Sequence, residues 1–435
     1  MTGLVTTELR IHNAKKFVES VGNEHDNMYM FLAKPLAWED DNIPPTPLDS
    51  VHYKKHIWDE MVAMKRLTNA DVRHGLRRID WESGDKYDVY DDRDSYLHVR
   101  KWYVMNEMFQ VFMCLDNGRK LVGGSYEAAP STYNPFFDPA QPEKTVFKYP
   151  DGYTWKYIYS VAPGEALKFA TPSWIPVSTT QLVEPVSVSG IYNIILSNFG
   201  IGYNEGECDV VIEGDGTGAQ AVPVIEGGQI VRIDVVDPGE GYTEANVTIV
   251  GPAAQEASAR AVVFNFGGVG TNPIDNLLAY YTICSGSFAF GEDGNVPVFN
   301  DFRQFGVIKD PLTTENEVAK GIHYNMFYRL EVSSEFGFEQ DEEVTWFGGH
   351  GRVTSYDVTT AADKKYLELF GTVGTPLAED VVISSKDGEK HATVVEVIKE
   401  PTLIPRSGQF LYIENNQPIH RRGDQIETFV LVAEW

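Results

Sequence analysis

Few residue patterns in the 435-residue chain have the spacing that chemistry requires. His52 and His56 stand four apart on a predicted helix, which puts two imidazoles on one face as in a helical zinc site. Such a site needs a glutamate beside the first histidine as general base, and Tyr53 occupies that place, so an exposed or interface histidine pair is the better reading. Gly214-Asp215-Gly216-Thr217-Gly218 has the composition of a phosphate or calcium loop. No Lys-Ser/Thr follows it and no terminal Glu closes it, so a tight β-turn is expected. Ser83-Gly84-Asp85-Lys86 fits a Ser-x-x-Lys pattern without its Lys-Thr-Gly companion, and no Gly-x-Ser-x-Gly elbow occurs. Glycoside hydrolysis needs two carboxylates flanking one bond, and a pair such as Glu342-Glu343 carries no information among 63 acidic residues. No catalytic, cofactor-binding or metal-ligating residue is therefore assigned.

Two further patterns could bind without reacting. Gly200-Ile201-Gly202-Tyr203 is echoed 39 residues later by Gly239-Glu240-Gly241-Tyr242. Tyr203 and Tyr242 could stack on the apolar C–H groups of a glycan; the competing reading is that glycine makes the turn and tyrosine caps a core. Arg77-Arg78 and Arg421-Arg422 are the notable basic pairs, expected as ion-pair partners within the fold or at a subunit interface.

The elements that must hold these residues follow from periodicity. Ile11, Ala14, Val18 and Val21 predict a helix from Thr7 to Val21, capped by Thr7 and ended at Gly22. The run Met28 to Leu32 predicts a buried strand, stopped by a proline-rich segment over 34–47. Ser50 caps a second predicted helix, with Tyr53, Ile57, Met61 and Met64 on one face, ending near Leu67. Short aromatic and β-branched runs such as 102–115 and 153–161 predict strands, and the Pro, Tyr and Phe-rich stretch 125–150 a long ordered loop. Residues 190–224 and 228–263 form an internal repeat, read as two related units sharing one core. Strands at 353–358, 366–370, 381–384 and 392–398 predict a small barrel.

Composition excludes several function classes. The net charge is −27, with 43% hydrophobic and 23% charged residues. The excess of carboxylates disfavours phosphate backbones and anionic lipid, so neither nucleic-acid binding nor membrane insertion is expected. Cys114, Cys208 and Cys284 are too far apart in sequence to suggest a metal or redox pair, and suit a reducing compartment. With no basic n-region leading into an apolar stretch, a soluble protein made in a cytoplasm is expected.

The chain resembles a known family at its ends. Lys34-Pro35-Leu36-Ala37-Trp38, Pro44-Pro45-Thr46-Pro47-Leu48-Asp49-Ser50, Trp58 and Arg77-Arg78-Ile79-Asp80-Trp81 are similar, in order and spacing, to the baseplate wedge subunit encoded by gene eight of T-even-type contractile-tailed phages. Asp151-Gly152-Tyr153-Thr154-Trp155-Lys156-Tyr157 matches that family's Asp-Gly-Tyr-x-Trp-x-Tyr signature. Phe302-Arg303-Gln304 before Asp310-Pro311, and Tyr412 to Ile419 before Asp424-Gln425 and Glu427, resemble its later motifs. The likeness covers residues up to about 180, about 277–312 and about 403–435.

The resemblance implies a structural, non-enzymatic subunit without cofactors. It would be a homodimer contacting other baseplate wedge subunits in the virion tail, assembled in the host cytoplasm, and would take part in the rearrangement that releases sheath contraction. The fold expected is mainly β: a β-sandwich core (1–180, 267–320, 401–435) with two peripheral helices, an inserted two-repeat β module (181–266) and an inserted barrel-like module (321–400). Trp38, Trp58, Arg78, Trp81, Trp155, Arg303 and Tyr412 are the candidate interface or family-motif residues. A receptor- or glycan-binding tail protein using Tyr203 and Tyr242 is the alternative, and a polysaccharide-degrading enzyme a third reading.

Overall fold

The first helix runs Thr7–Val21, where the apolar spacing puts it, with Ile11, Ala14 and Val21 buried. Its cap is Thr6, one residue earlier than expected: the Thr6 hydroxyl accepts the Leu9 N–H at 3.3 Å, the third amide of the helix, which a preceding side chain is placed to reach. These coordinates are a computed structural model describing residues 3–21, 23, 26–122, 125–178, 187–264, 267–359 and 364–435. Gly22, and the boundaries of the repeat module at 181 and 266, lie outside the described residues. The protein is mainly β and divides into two units. One comprises 1–15, 73–283 and 432–435; the other comprises 16–72 and 284–431.

In the second unit, Ser50 caps a helix as expected, accepting the Tyr53 N–H at 3.2 Å. The helix is Val51–Glu60, however, and does not reach Leu67; Met61–Arg66 is a strand. Met61 to Met64 are all buried, because this strand pairs with Met28–Ala33 on one side and His323–Asn325 on the other. A strand covered on both faces reads as a continuous apolar run, and two methionines three apart fit a helix equally well.

The sheet continues from Met28–Ala33 to Asn300–Lys309 and then to Gln409–Arg421, all antiparallel. Alternation along Met28–Ala33 separates two cores. Met28, Met30 and Leu32 join Val62, Phe305 and Phe429, whereas Tyr29, Phe31 and Ala33 join Ile57, Trp58 and Met64. Gly306 is required at its place, since a Cβ there would lie 2.0 Å from the Tyr412 carbonyl oxygen of the neighbouring strand.

The same unit holds a closed six-stranded barrel, in the order Tyr328–Ser333, Lys364–Val373, Gly349–Thr359, Glu343–Trp346, Val381–Ser384, His391–Lys399. Closure comes from Tyr328–Ser333, which pairs with both Lys364–Val373 and His391–Lys399. Inward residues such as Leu330, Val344, Val353, Leu369, Val382 and Val394 fill the interior, as a barrel of this size requires.

The first unit contains a four-stranded sheet, Tyr103–Met105, Gln110–Asn117, Tyr153–Ser160 and Val146–Lys148. The stretch 125–150, read as one loop, has short strands at its ends, Ser125–Glu127 and Val146–Lys148. Between them it lies on the protein's own sheet, with Phe137 stacked on Tyr157 at 3.8 Å between centroids.

The repeat module of this unit exchanges strands between its copies. Ile194–Asn198 of the first copy pairs with Ser258–Ala261 of the second, and Gln220–Glu226 pairs with Gln229–Asp237. Asp209–Gly214 pairs with Ala245–Val250, in a register that sets Val210 against Ile249, the equivalent position 39 residues on. Each strand pair therefore takes one strand from each copy, and neither copy can form its pairs alone. Val188 and Val269 exchange both backbone hydrogen bonds, at 2.9 and 2.8 Å, so the module's incoming and outgoing chains lie side by side.

Candidate interface and the residues that build it

Motifs far apart in sequence meet in the second unit. The chain leaves the doubly buried strand Met28–Ala33 at Lys34, whose side chain is fully buried. Its ammonium donates to Asn300 Oδ1 at 2.6 Å and forms ion pairs with Asp301 Oδ1 at 2.9 Å and Asp341 Oδ1 at 3.0 Å. Asp301 also accepts from Arg303, and Arg303 reaches Asp41 at 3.4 Å. That guanidinium holds Asp41 below the usual carboxylate range. Along the neighbouring strand, Trp38 Nε1 donates to the Asn416 carbonyl (2.8 Å), Asn415 Nδ2 to the Pro45 carbonyl (2.8 Å) and Gln304 Nε2 to the Tyr53 hydroxyl (3.0 Å). The proline-rich segment, Phe302-Arg303-Gln304 and the Tyr412-to-Pro418 motif are thereby one hydrogen-bonded assembly.

The Asp-Gly-Tyr-x-Trp-x-Tyr motif in the first unit is a clamp for the proline-rich loop. Asp151 accepts the Thr132 N–H (2.8 Å), the Tyr133 N–H (3.2 Å) and, with its other oxygen, the Tyr153 N–H (3.1 Å). Gly152 has φ +94° and lies so close to Gly118 that a Cβ would sit 2.8 Å from its Cα. The Tyr153 hydroxyl donates to the Ala129 carbonyl at 2.7 Å and accepts the Tyr87 N–H at 3.0 Å. Trp155 is fully buried, stacked on Tyr153 at 5.4 Å with its edge toward Tyr87.

Residues 3–108 match the family model described as Phage-Gp8, Bacteriophage T4, Gp8. Over those residues the chain is a Gp8-family sequence. The match takes in Trp38, Trp58, Arg78 and Trp81, and stops before Trp155, Arg303 and Tyr412. No curated protein matches the chain. The Gp8 match supports a structural role in the phage baseplate wedge, contact with other baseplate proteins and a place in the virion tail. No helix among the described residues is long and apolar enough to cross a membrane.

The Gp8-type motif residues divide between the two units. Trp38, Trp58, Arg303 and Tyr412 belong to the second, where Trp58 is buried with its edge toward Phe410 and Tyr412 donates to Glu414 at 2.6 Å. Arg78, Trp81 and Trp155 belong to the first, where Arg78 pairs with Asp80 at 2.9 Å and Trp81 Nε1 donates to Ser131 Oγ at 2.9 Å. Arg421 is buried against Glu427. The glycan-contact expectation for Tyr203 and Tyr242 is corrected by their burial, at 2% and 4% exposure. Their hydroxyls accept from Ala257 N (2.8 Å) and Ala219 N (3.3 Å), each tyrosine bracing the small-residue strand of the other copy, so neither ring offers a face to a sugar.

The other sequence candidates are also accounted for. His52 and His56 are exposed and face each other, their Nε2 atoms 3.1 Å apart. Asp215 of the glycine-rich loop accepts from the Thr243 hydroxyl and from the Thr243 and Glu244 amides at 2.9 Å, which hold its carboxyl down to about 2; the loop is a braced turn. Burial works to raise the Glu342 pKa, yet Lys390 at 2.6 Å and Ser384 overrule it and the carboxyl is lowered, while Glu343 points out on the opposite strand face.

Lys34 and Lys156 carry weight that the spacing arguments missed. A lysine closing a fully apolar strand is the signal for Lys34, since such a charge persists in a core only when paired. Lys156, fully buried on the strand of the clamp, donates to Thr145 Oγ1 at 2.7 Å. Burial pushes its pKa down from 10.5 to about 7. Between those values the unfolded chain binds the extra proton, so this group's contribution to stability rises with pH. Its burial cost is complete below the folded value and gone above the unfolded one. In Lys156→Met that dependence is absent. Urea unfolding at a series of pH values should show the variant's stability relative to the parent falling by up to about 1.4 kcal/mol per pH unit between about pH 7.5 and 9.5. A constant difference would contradict the assignment.

Proposed function

We propose that this chain is a homodimeric wedge subunit that joins neighbouring baseplate proteins and passes on, as a rigid body, the rearrangement that triggers sheath contraction. The observation that carries this reading is the convergence of Trp38, Asp41, Arg303 and Asn415 from three separate motifs. A network of that kind makes the second unit move as one piece, which a force-transmitting subunit needs. Aromatic and arginine side chains in such motifs are also the types that concentrate interface energy. No observation favours an enzyme, and the glycan-binding alternative rested on tyrosines that are buried. Co-expression of the full chain with its own phage's wedge proteins, followed by size-exclusion chromatography with light scattering, tests the reading. A dimer alone and a co-eluting complex with wedge proteins are expected; a strict monomer that enters no complex would overturn it.

We propose further that the repeat module and the barrel are additions to a wedge-type core spanning 1–180, 267–320 and 401–435. The bridge between Val188 and Val269 supports this for the repeat module, because excision there leaves no long gap. Removal of 189–268, between the two bridged residues, should leave hydrogen-exchange protection of Gln110–Asn117 and Tyr153–Ser160 unchanged; global loss of protection would refute it.

A further inference from the structure

The proline-rich strap from Leu36 to Val51 is fastened to its own protein by polar contacts and leaves four large apolar side chains, among acidic and polar ones, facing solvent. Inward, it is fastened by hydrogen bonds and ion pairs: Trp38 to Asn416, Asp41 to Arg303, Pro45 to Asn415, and Asn42 to Gln417 at 3.3 Å. Outward, Leu36, Ile43, Leu48 and Val51 are each at least 60% exposed. Four large apolar side chains so exposed along one short segment are an unusual concentration, since burying them is what water favours. Prolines at 35, 44, 45 and 47 stiffen the strap, so a partner would meet a surface that loses little conformational entropy on binding.

At the foot of the strap, between the helix Val51–Glu60 and the barrel, lies a cleft of about 560 Å³ lined by Leu36, His56, Asp59, Glu60, Glu343 and Arg352, among others. Its cation, Arg352, donates to the Lys34 carbonyl at 2.7 Å and lies over the Phe370 ring, and it is one guanidinium facing both Glu60 and Glu343. Asp59 is shared with Arg406 at 3.2 Å. Burial raises the Glu60 pKa, and the nearby Asp59 adds to this against the opposing pull of Arg352 and His56. Glu343 and Ser385 also line an adjoining cleft of about 330 Å³ that adds Glu339, Asp341, Glu342 and Lys386, in which Asp341 is paired with Lys34 and Glu342 with Lys390.

We propose that the strap and this cleft together receive a basic segment of another baseplate protein, with apolar side chains seated on Leu36, Ile43, Leu48 and Val51 and a Lys or Arg entering the cleft toward Glu60 and Glu343. Charge decides against a second copy as occupant. The chain carries −27, and the strap adds Glu39 and Asp40 on its open side, so two copies meeting here would bring like charges together. The inference rests on the wedge reading above and names the kind of partner that this surface takes.

The test uses the tagged full chain and the wedge proteins of its own phage, co-expressed, with binding measured from about 0.05 M to about 0.5 M salt. Ile43→Ser/Val51→Ser and, separately, Glu60→Gln/Glu343→Gln should each bind a basic wedge protein at least about tenfold more weakly, with circular dichroism and dimer content unchanged. Parent binding should weaken as salt rises. Leu36→Ser/Leu48→Ser provides an independent pair should the first not fold. Binding of the variants at parent strength, salt-insensitive binding, or loss of self-association in place of partner binding would each overturn the proposal. If the parent itself binds no wedge protein, the wedge reading fails as well, which separates the two failures.

Discussion

Lys34→Met is expected to destabilise the second unit by about 3–5 kcal/mol, the cost of removing one partner from a buried ion pair. Methionine keeps most of the side-chain volume, so the change isolates the charge. The parent ammonium donates to Asn300 and is ion-paired with Asp301 and Asp341, at 2.6–3.0 Å, with none of its side chain exposed. Without it, Asp301 keeps Arg303 but loses its other cation in a place that water does not reach, whereas Asp341 is exposed enough to be rehydrated. Adding Asp301→Asn should restore more than half of the loss, because an unpaired buried charge is then no longer present. Native-state hydrogen exchange of Met28–Ala33 and Asn300–Lys309 measures both variants. A loss below about 1 kcal/mol in Lys34→Met would mean that Arg303 alone suffices for Asp301.

Trp155→Ala should cost the first unit a similar amount, about 3–5 kcal/mol, through the cavity left by a large core aromatic. The ring is fully buried among Val104, Phe112, Phe137 and Tyr157, and stacked on Tyr153, whose hydroxyl ties the loop at Ala129. The loss should therefore extend beyond packing to the loop itself, appearing as faster amide exchange at Thr132 and Tyr133, which Asp151 otherwise holds. Trp155→Phe should be much milder, about 1 kcal/mol or less. The indole N–H has no hydrogen-bond partner among the described residues, so replacing it removes an unsatisfied buried donor along with the extra ring. Equal losses in the two variants would show that the indole makes a polar contact after all.

How much of this was legible beforehand can be judged from particular residues. Val51–Glu60 was anchored correctly at Ser50, since a capping serine acts on amides three residues away and needs no tertiary context. Its end was not legible, because Met61–Arg66 becomes a strand only when Met28–Ala33 and His323–Asn325 arrive on either side of it. The repeat was visible as two matching segments. That the copies exchange strands was not, since a strand next to its own copy and one next to the other copy have the same pattern.

The same division holds for the candidate interface. Residue types and order alone determined a mainly β, acidic chain carrying Gp8-type motifs, because composition and local spacing are written in one dimension. Only the tertiary structure decided that Tyr203 and Tyr242 close a core, that Lys34 is a buried cation among Asn300, Asp301 and Asp341, and that Leu36, Ile43, Leu48 and Val51 face outward. Burial and pairing depend on which distant segments come together, and a local pattern carries no record of that.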